Sequence, residues 1–264
     1  MNILVCVRRV PDTSENEIQL NSDQNDIERD DLVYSVNEWD NYAVEEALRI
    51  VGELGGQVTV VTVGGDDDEE ILRREMAMGA NNGVLLSDDA FAGSDGRGIA
   101  AILAAFVKKG QYDLVLTGVQ AEDGGAQVGG MLAAMLDYPF ASLVNAVEVR
   151  DGGKTLRIGR EIEGGNKEVN DIDLPCVLSI QTGINEPRYV GMRGIRQVQS
   201  IPIPTYGASD LGLDGATVGA AGAKVKREDY FVPPAGAGAE MLQGSREEMV
   251  ERVVELLAAK GGLK

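Results

Sequence analysis

The segment Leu116-Thr117-Gly118-Val119-Gln120-Ala121-Glu122-Asp123-Gly124-Gly125-Ala126-Gln127-Val128-Gly129 holds the residues best suited to chemistry. It follows an apolar run, Tyr112 to Leu116, and precedes a second one, Met131 to Leu136. That order reads as a buried strand, a turn of small residues and a helix. The first N–H groups of a helix lack internal partners and sit at the positive end of its dipole, which suits an anion such as a phosphate. Small residues let a ligand come close to the backbone. The glycines alone fit an ordinary strand-to-helix turn equally well. The turn has neither the spacing of the dinucleotide fingerprint nor the lysine of a P-loop.

What the chain lacks narrows the chemistry further. It contains no histidine. Ser-His and Cys-His nucleophile pairs within the chain are therefore excluded, as is a Cys/His zinc site. The composition suits a binder or carrier better than a hydrolase. Its two cysteines, Cys6 and Cys176, lie in apolar runs and read as buried thiols in a reducing compartment. The net charge of −19 argues against nucleic acid as a partner, because phosphate neutralisation needs clustered Lys and Arg. The acid is uneven: residues 11–40 hold ten Asp or Glu and one Arg. This reads as a solvated loop, with a docking surface for a basic partner as the alternative. No stretch approaches the roughly 20 apolar residues of a membrane span. The start, Met1-Asn2-Ile3-Leu4-Val5-Cys6, has no basic leader segment, so a cytoplasmic location is expected.

The elements that must position the turn follow from periodicity. Asn2 to Val7 reads as a buried strand, followed by an acidic loop with a short hairpin expected around Ile18–Leu20 and Asp31–Val36. Asp40 to Leu54 reads as a helix with Ala43, Val44, Ala47, Leu48 and Val51 on one face, stopped by Gly55-Gly56. Gln57–Val63 is a β-branched strand, and a helix with an acidic first turn runs from Asp66 to about Met78. Val84–Ser87 and Asp113–Thr117 are further strands, with a helix from Gly98 to Lys109 between them and another after the glycine turn. Four apolar strands alternating with four helices predict a parallel twisted sheet flanked by helices, an α/β Rossmann-like core. Ligands of such sheets bind at the carboxyl ends of the strands, here after Val7, Val63 and Thr117.

Beyond Tyr138-Pro139 the pattern changes. Ser142–Arg150, Thr155–Glu163 and Cys176–Thr182 read as an antiparallel β extension. Pro202 to Gly238 is rich in Pro, Gly and Ala with weak periodicity and reads as an extended arm. Ser245 with Glu248 forms a capping box, opening a helix with Met249, Val250, Val253, Leu256 and Leu257 on one face. That face needs a surface, either the chain's own core or a partner subunit. The expected division is an α/β nucleotide-binding domain with its extension over residues 1–200, and an arm with a C-terminal helix over 201–264.

Several segments in order resemble the beta subunit of electron-transfer flavoproteins, within the adenine nucleotide alpha hydrolase-like superfamily. They are Cys6-Val7-Arg8-Arg9-Val10-Pro11-Asp12, residues 37–49 (NEWDNYAVEEALR), Ala77-Met78-Gly79-Ala80, the turn Gln120 to Gly129, Arg160-Glu161-Ile162-Glu163-Gly164-Gly165, Leu174-Pro175 and Asn185-Glu186-Pro187-Arg188-Tyr189. The resemblance covers about the whole chain. It implies pairing with an alpha subunit into a heterodimer that holds FAD mainly on the alpha side. Such a heterodimer is an electron carrier rather than a stand-alone enzyme. It takes electrons from flavin dehydrogenases and passes them to a quinone oxidoreductase or another acceptor. The beta subunit's own α/β domain holds AMP with a structural role. In electron-bifurcating relatives that position holds a second FAD, which reacts with NADH. An adenine-nucleotide sensor of the universal-stress type is a third reading, but it leaves the arm and the loop around Asn185–Arg196 without a purpose.

Carried over by position, the cofactor contacts implied by the resemblance are Cys6, Val7, Arg8, Asn37, Val63, and Asp123, Gly124, Gly125, Ala126, Gln127 and Val128. Ala126-Gln127-Val128 stands where AMP-binding relatives often carry Asn-Gln-Thr, and resembles the bifurcating branch. Valine lacks the threonine hydroxyl, so one side-chain phosphate contact is lost while the backbone donors remain. Asn170 stands where the family usually has an apolar residue, which reads as a hairpin detail. The stretch Arg188 to Arg196 matches the family's partner-docking loop. Arg188, Tyr189, Met192, Arg193, Ile195 and Arg196 are its docking candidates, with Met192 at the anchor position. Taken without the resemblance, Met192 reads as an internally packed side chain. No catalytic residue and no metal ligand is expected.

Overall fold

The computed structural model describes residues 1–262 apart from 122, 123, 235, 237 and 240. They form two compact units, Met1–Gln19 with Glu28–Glu228, and Leu20–Ile27 with Asp229–Lys264.

In the first unit, β1 (Asn2–Cys6) is followed by a short hairpin of β2 (Arg9–Pro11) and β3 (Tyr34–Val36). Then come α1 (Glu38–Leu54), β4 (Gln57–Val63), α2 (Glu69–Met78), β5 (Asn82–Leu86), α3 (Gly96–Val107), β6 (Leu114–Gly118) and α4 (Val128–Leu136). The remainder is β7 (Phe140–Arg150), β8 (Thr155–Ile162), β9 (Asn166–Asp173), β10 (Cys176–Ile180), α5 (Met192–Val198), β11 (Thr205–Tyr206), α6 (Ala208–Leu211) and α7 (Gly219–Gly222). Nine of these strands make one sheet in the order β11-β5-β4-β1-β6-β10-β7-β8-β9. From β11 to β7 all neighbours run parallel, and β8 and β9 continue antiparallel. The α/β class expected from the alternating pattern is the one observed.

The core lies on both faces of the parallel sheet. Along β1, Ile3 and Val5 face α1 and α2, joining Ala43, Val44, Leu72 and Met76. Leu4 and Cys6 face the other way, toward Ile102 and Leu103 of α3 and Leu132 of α4. This period of two, with apolar residues at every position, is what covering a strand on both faces requires. The chain runs from β1 through α1 to β4 and β5 on one side, and α3 then carries it back to β6 on the other. The switch point of the topology therefore falls between β1 and β6, where α/β sheets open a crevice at their carboxyl edge.

Three local readings of the sequence change. The early hairpin is not Ile18–Leu20 against Asp31–Val36 but β2 against β3, pairing Arg9 with Val36 and Pro11 with Tyr34. Val10 is buried there, and the Arg9 guanidinium lies 3.7 Å over the Tyr34 ring. Cys176–Ile180 is not antiparallel: it inserts between β6 and β7 parallel to both. All five of its residues are buried, so only a central strand covered on both faces can hold them. The third strand of the antiparallel extension, beside β7 and β8, is instead β9, whose polar sequence NKEVNDID carries no apolar alternation. Cross-strand ion pairs such as Arg157 with Asp171 mark that pairing.

The stretch that reads as an arm begins inside the first unit. Thr205 and Tyr206 pair with Leu85 and Leu86 to extend the sheet, and the Tyr206 ring packs 5.7 Å from that of Phe106. Ala208, Leu211 and Val218 are buried. In the second unit, Leu20 bridges Ile27, and the Tyr230 N–H donates to the Gln24 carbonyl at 3.2 Å. Its helix α8 (Arg246–Ala259) opens with the capping box, the Glu248 N–H on Ser245 Oγ and the Ser245 N–H on Glu248 Oε2. No residue of α8 is buried.

Candidate functional site

Three strand ends meet at the crevice. β1 runs out into Val7 and Arg8, β4 ends at half-buried Val63 beside it, and β6 ends at Gly118 on the other flank. Asp40, in the first turn of α1, ties the two flanks together. One carboxylate oxygen accepts the Arg8 N–H and the other the Gly118 N–H, each at 2.9 Å. Burial pushes the Asp40 carboxyl up to about 7, against hydrogen bonds from Asn37, Gly118 and Arg8 that pull it down. Gly118 has to be glycine here: a Cβ would collide with Asp40 Oδ1 and lie 2.6 Å from Trp39 Cβ. Burial, with Asp40 nearby, drives the Cys6 thiol far above its usual range, so Cys6 lines the edge as an unreactive neutral group.

Asn37 precedes α1 and is only 1% exposed. Its Nδ2 donates to the Gln120 carbonyl at 2.8 Å and so holds the exit of β6. Its Oδ1 is buried without a hydrogen-bond partner. An unsatisfied buried acceptor costs free energy unless a ligand or water completes it. The amino and hydroxyl groups of an adenine nucleotide are donors of the kind such an acceptor takes.

The turn that follows is exposed from Gly124 to Gln127, and Asp123 lies outside the described residues. Gly124 has φ +62° and Ala126 φ +47°. The left-handed region costs an alanine roughly 1 kcal/mol, and such strain gathers at ligand sites. Val128 opens α4 with no side chain capping it, which leaves the helix start to an anion or solvent. Beneath, Gly129 lets α4 press on the sheet, since a Cβ would run into Ser179 Oγ and meet Thr117 Oγ1 at 2.9 Å. Those two hydroxyls hydrogen-bond at 2.8 Å. On the β10 and β7 side of the turn lies a cleft of about 370 Å³, lined among others by Trp39, Gln120, Ala126, Phe140, Leu143 and Gln181. The Trp39 indole N–H is held by Gln181 Oε1 at 3.1 Å, and Leu143 has φ +57°.

The expected contacts Cys6, Val7, Arg8, Asn37 and Val63 thus gather at the strand ends, with Gly124–Val128 following β6. Sequence reasoning missed Asp40, Gly118, Trp39 and Gln181. For Asp40 a signal existed, an acid in the first turn of a helix that follows a strand. Gln181 carried none, because its approach to Trp39 depends on which strands flank Cys176–Ile180.

The stretch Arg188 to Arg196 lies against α1 and α2. Arg188 forks onto Glu45 of α1, Nε and Nη2 each 2.8 Å from a carboxylate oxygen. Tyr189 is 92% and Met192 65% exposed, so Met192 is not packed internally. Arg193 and Arg196 are exposed and Ile195 half-buried. Among the described residues no three His, Cys, Asp or Glu gather as a metal site, and no helix is long and apolar enough to cross a membrane.

Residues 25–211 match the electron transfer flavoprotein domain family. The electron transfer flavoprotein subunit beta of Methylophilus methylotrophus is 35% identical over 97% of this chain and 98% of its own length. That of Thermoanaerobacterium thermosaccharolyticum is 36% identical over 98% and 99%. The caffeyl-CoA reductase-Etf complex subunit CarD of Acetobacterium woodii is 38% identical over 93% of both chains. With the parallel sheet, the crevice at its switch point and near full-length identity of this size, the chain belongs to the electron transfer flavoprotein family, among its beta subunits.

Proposed function

We propose that this chain is the beta half of a cytoplasmic heterodimer that carries electrons from flavin dehydrogenases to a quinone oxidoreductase or another acceptor. Its own crevice holds an adenine nucleotide, AMP in the first instance, and the redox FAD sits mainly on the alpha subunit. When bound, that FAD supplies the electron-accepting chemistry. The residues of this chain hold the nucleotide and present the docking surface. The observation that carries the nucleotide reading is the crevice itself: the unpartnered buried Asn37 Oδ1 beside an uncapped helix start and a strained turn. Arg8, Val63 and the backbone of Gly124–Val128 complete it. The partner for the alpha side is the second unit, whose Phe231, Val232, Met241, Val250 and Leu257 are exposed. An apolar set of that size in a short unit needs a covering surface. Tyr189, Met192, Arg193, Ile195 and Arg196 present an apolar knob with cations, suited to an apolar pocket with an acidic rim.

One observation favours a second reading, a second FAD in the same crevice. The cleft beside Ala126 has aromatic walls in Trp39 and Phe140 and lies next to the turn that would hold the phosphate. A dinucleotide could place its phosphates at the turn and a planar ring in the cleft, whereas AMP leaves the cleft unused. Acid release followed by chromatography separates the readings. One FAD and one AMP per heterodimer support the first, and two FAD support the second. A heterodimer without any adenine nucleotide beyond the alpha FAD would overturn both.

A further inference from the structure

We propose that Arg188 is not a docking contact but the anchor of the docking loop, and that Glu45 and Arg73 are positioning residues that hold Tyr189 to Arg196 in the shape shown to a partner. The proposal rests on reading this loop as the docking element. The loop is pinned at both ends. At its start, the Glu45 carboxylate takes three N–H groups of one residue: Nε and Nη2 of Arg188 at 2.8 Å and its backbone N at 3.1 Å. Asn185 Nδ2 adds bonds to the Tyr42 carbonyl and to Glu46 Oε2, both at 3.1 Å. At its far end, Arg73 Nη1 donates to the carbonyls of Val198 at 2.8 Å and Ile201 at 3.3 Å. Glu69 Oε1 in turn steadies the Arg73 guanidinium at 2.7 Å. Between the pins, Gly194 lies so close to α2 that a Cβ would sit 3.1 Å from the Ala77 carbonyl oxygen.

The need for such pins is physical. α5 has seven residues, and a helix of two turns does not hold its shape in water by its own hydrogen bonds. Bidentate bonds between guanidinium and carboxylate are strong and fix direction as well as distance. Glu45 is buried while Arg188 is half-exposed, so the fork anchors the loop to the interior of the fold. Burial alone would raise the Glu45 pKa, but the bonds from Arg188 outweigh it and hold the carboxyl below its usual range. A loop ordered in advance leaves less conformational entropy to lose on docking. The fork uses Nε–H and one Nη2–H of Arg188 and ties its guanidinium to α1, whereas Tyr189, Met192, Arg193 and Arg196 are exposed.

The test uses the full-length chain with its co-purified subunit, and trypsin as the probe. Cleavage after Arg193 and Arg196 under native conditions reports loop order, and hydrogen exchange of β1 and α1 amides reports the fold. Glu45→Gln and Arg188→Gln should each speed cleavage at least about tenfold with exchange of β1 unchanged. The double variant should be no faster than either single one, because both remove the same fork. Arg188→Lys, which keeps the charge without the fork, should lie between, and Arg73→Gln should speed cleavage after Arg196 most. Met192→Ala should cleave at the wild-type rate. Cleavage unchanged in Glu45→Gln and Arg188→Gln would overturn the proposal. So would loss of protection throughout the sheet in both Glu45→Gln and the milder Arg188→Lys, which would make the pair a folding contact. The docking reading fails separately, if Met192→Ala leaves electron transfer from the dehydrogenase untouched while the loop stays pinned.

Discussion

The crevice and the loop from Arg188 to Arg196 are both organised by carboxylates of α1, Asp40 and Glu45, in opposite ways. Asp40 bonds to the backbone N–H groups of Arg8 and Gly118 and is buried among strand ends. Glu45 bonds to a guanidinium at the protein surface. The first arrangement shapes backbone and leaves a charge that is costly to bury. The second keeps its charge because a cation compensates it. The crevice should therefore answer to sterics and pH, and the loop to charge removal and salt.

The sharpest break is steric. Gly118→Val would drive a side chain into Asp40 and Trp39, costing about 3 kcal/mol of stability and emptying the crevice of nucleotide. Urea unfolding and nucleotide content would measure this; wild-type values for both would remove Gly118 from the site. Gly125→Leu is a gentler version on the exposed turn. It should lower nucleotide content by tenfold or more through loss of close backbone approach, and lower Tm only as far as ligand loss does. Equal content in wild type and variant would place the phosphate elsewhere.

Met192→Ala acts on the other region. If the side chain fills a partner pocket, its loss weakens docking by about 2 kcal/mol, roughly thirtyfold, with nucleotide and Tm unchanged. Stopped-flow electron transfer from the dehydrogenase measures it, and loss of nucleotide instead would merge the two regions.

Buried acids give a comparable effect through pH. Burial raises Asp40 to about 7 and Glu75 of α2 to about 8. Both folded values lie above the unfolded ones, so the protonated fold is favoured. Stability is full below about pH 4 as far as these two groups decide it, and falls as pH rises through 7 to 8. Neither oxygen of Glu75 has a hydrogen-bond partner. Glu75→Gln should hold its urea midpoint between pH 6 and 8 better than the wild type, by about 1–3 kcal/mol. Parallel curves for the two would show that Glu75 is already charged in the fold below pH 6. The smallest effect belongs to the loop. Raising salt from 0.05 to 0.5 M should weaken the half-exposed Arg188 fork and speed tryptic cleavage about twofold. Nucleotide content should not change.

Much of the crevice could be read from residues in order. Strand ends after Val7, Val63 and Thr117 followed from apolar runs, and a parallel sheet has to bring such ends to one edge. What escaped was whatever depended on neighbours distant in sequence. Cys176–Ile180 was recognisable as a strand, but five buried residues say only that both faces are covered, not between which strands. β9 is polar because it is the last strand of the sheet and buries none of its residues, so its pairing with β8 leaves no periodic trace. Thr205–Tyr206 lies among Pro and Gly, and two residues are too few for a pattern.

The amino-acid sequence by itself determined the alternation of strands and helices, the small-residue turn after β6, the capping box of α8 and the absence of histidine chemistry. These depend on periods of two and 3.6, on backbone freedom and on residue type, all local quantities. Only the tertiary structure decided that Asp40 spans the crevice, that Trp39 meets Gln181, and that Arg188 faces Glu45 rather than solvent. Each depends on a contact between residues at least 78 positions apart, and a contact of that kind exists only once the sheet order has placed its two ends side by side.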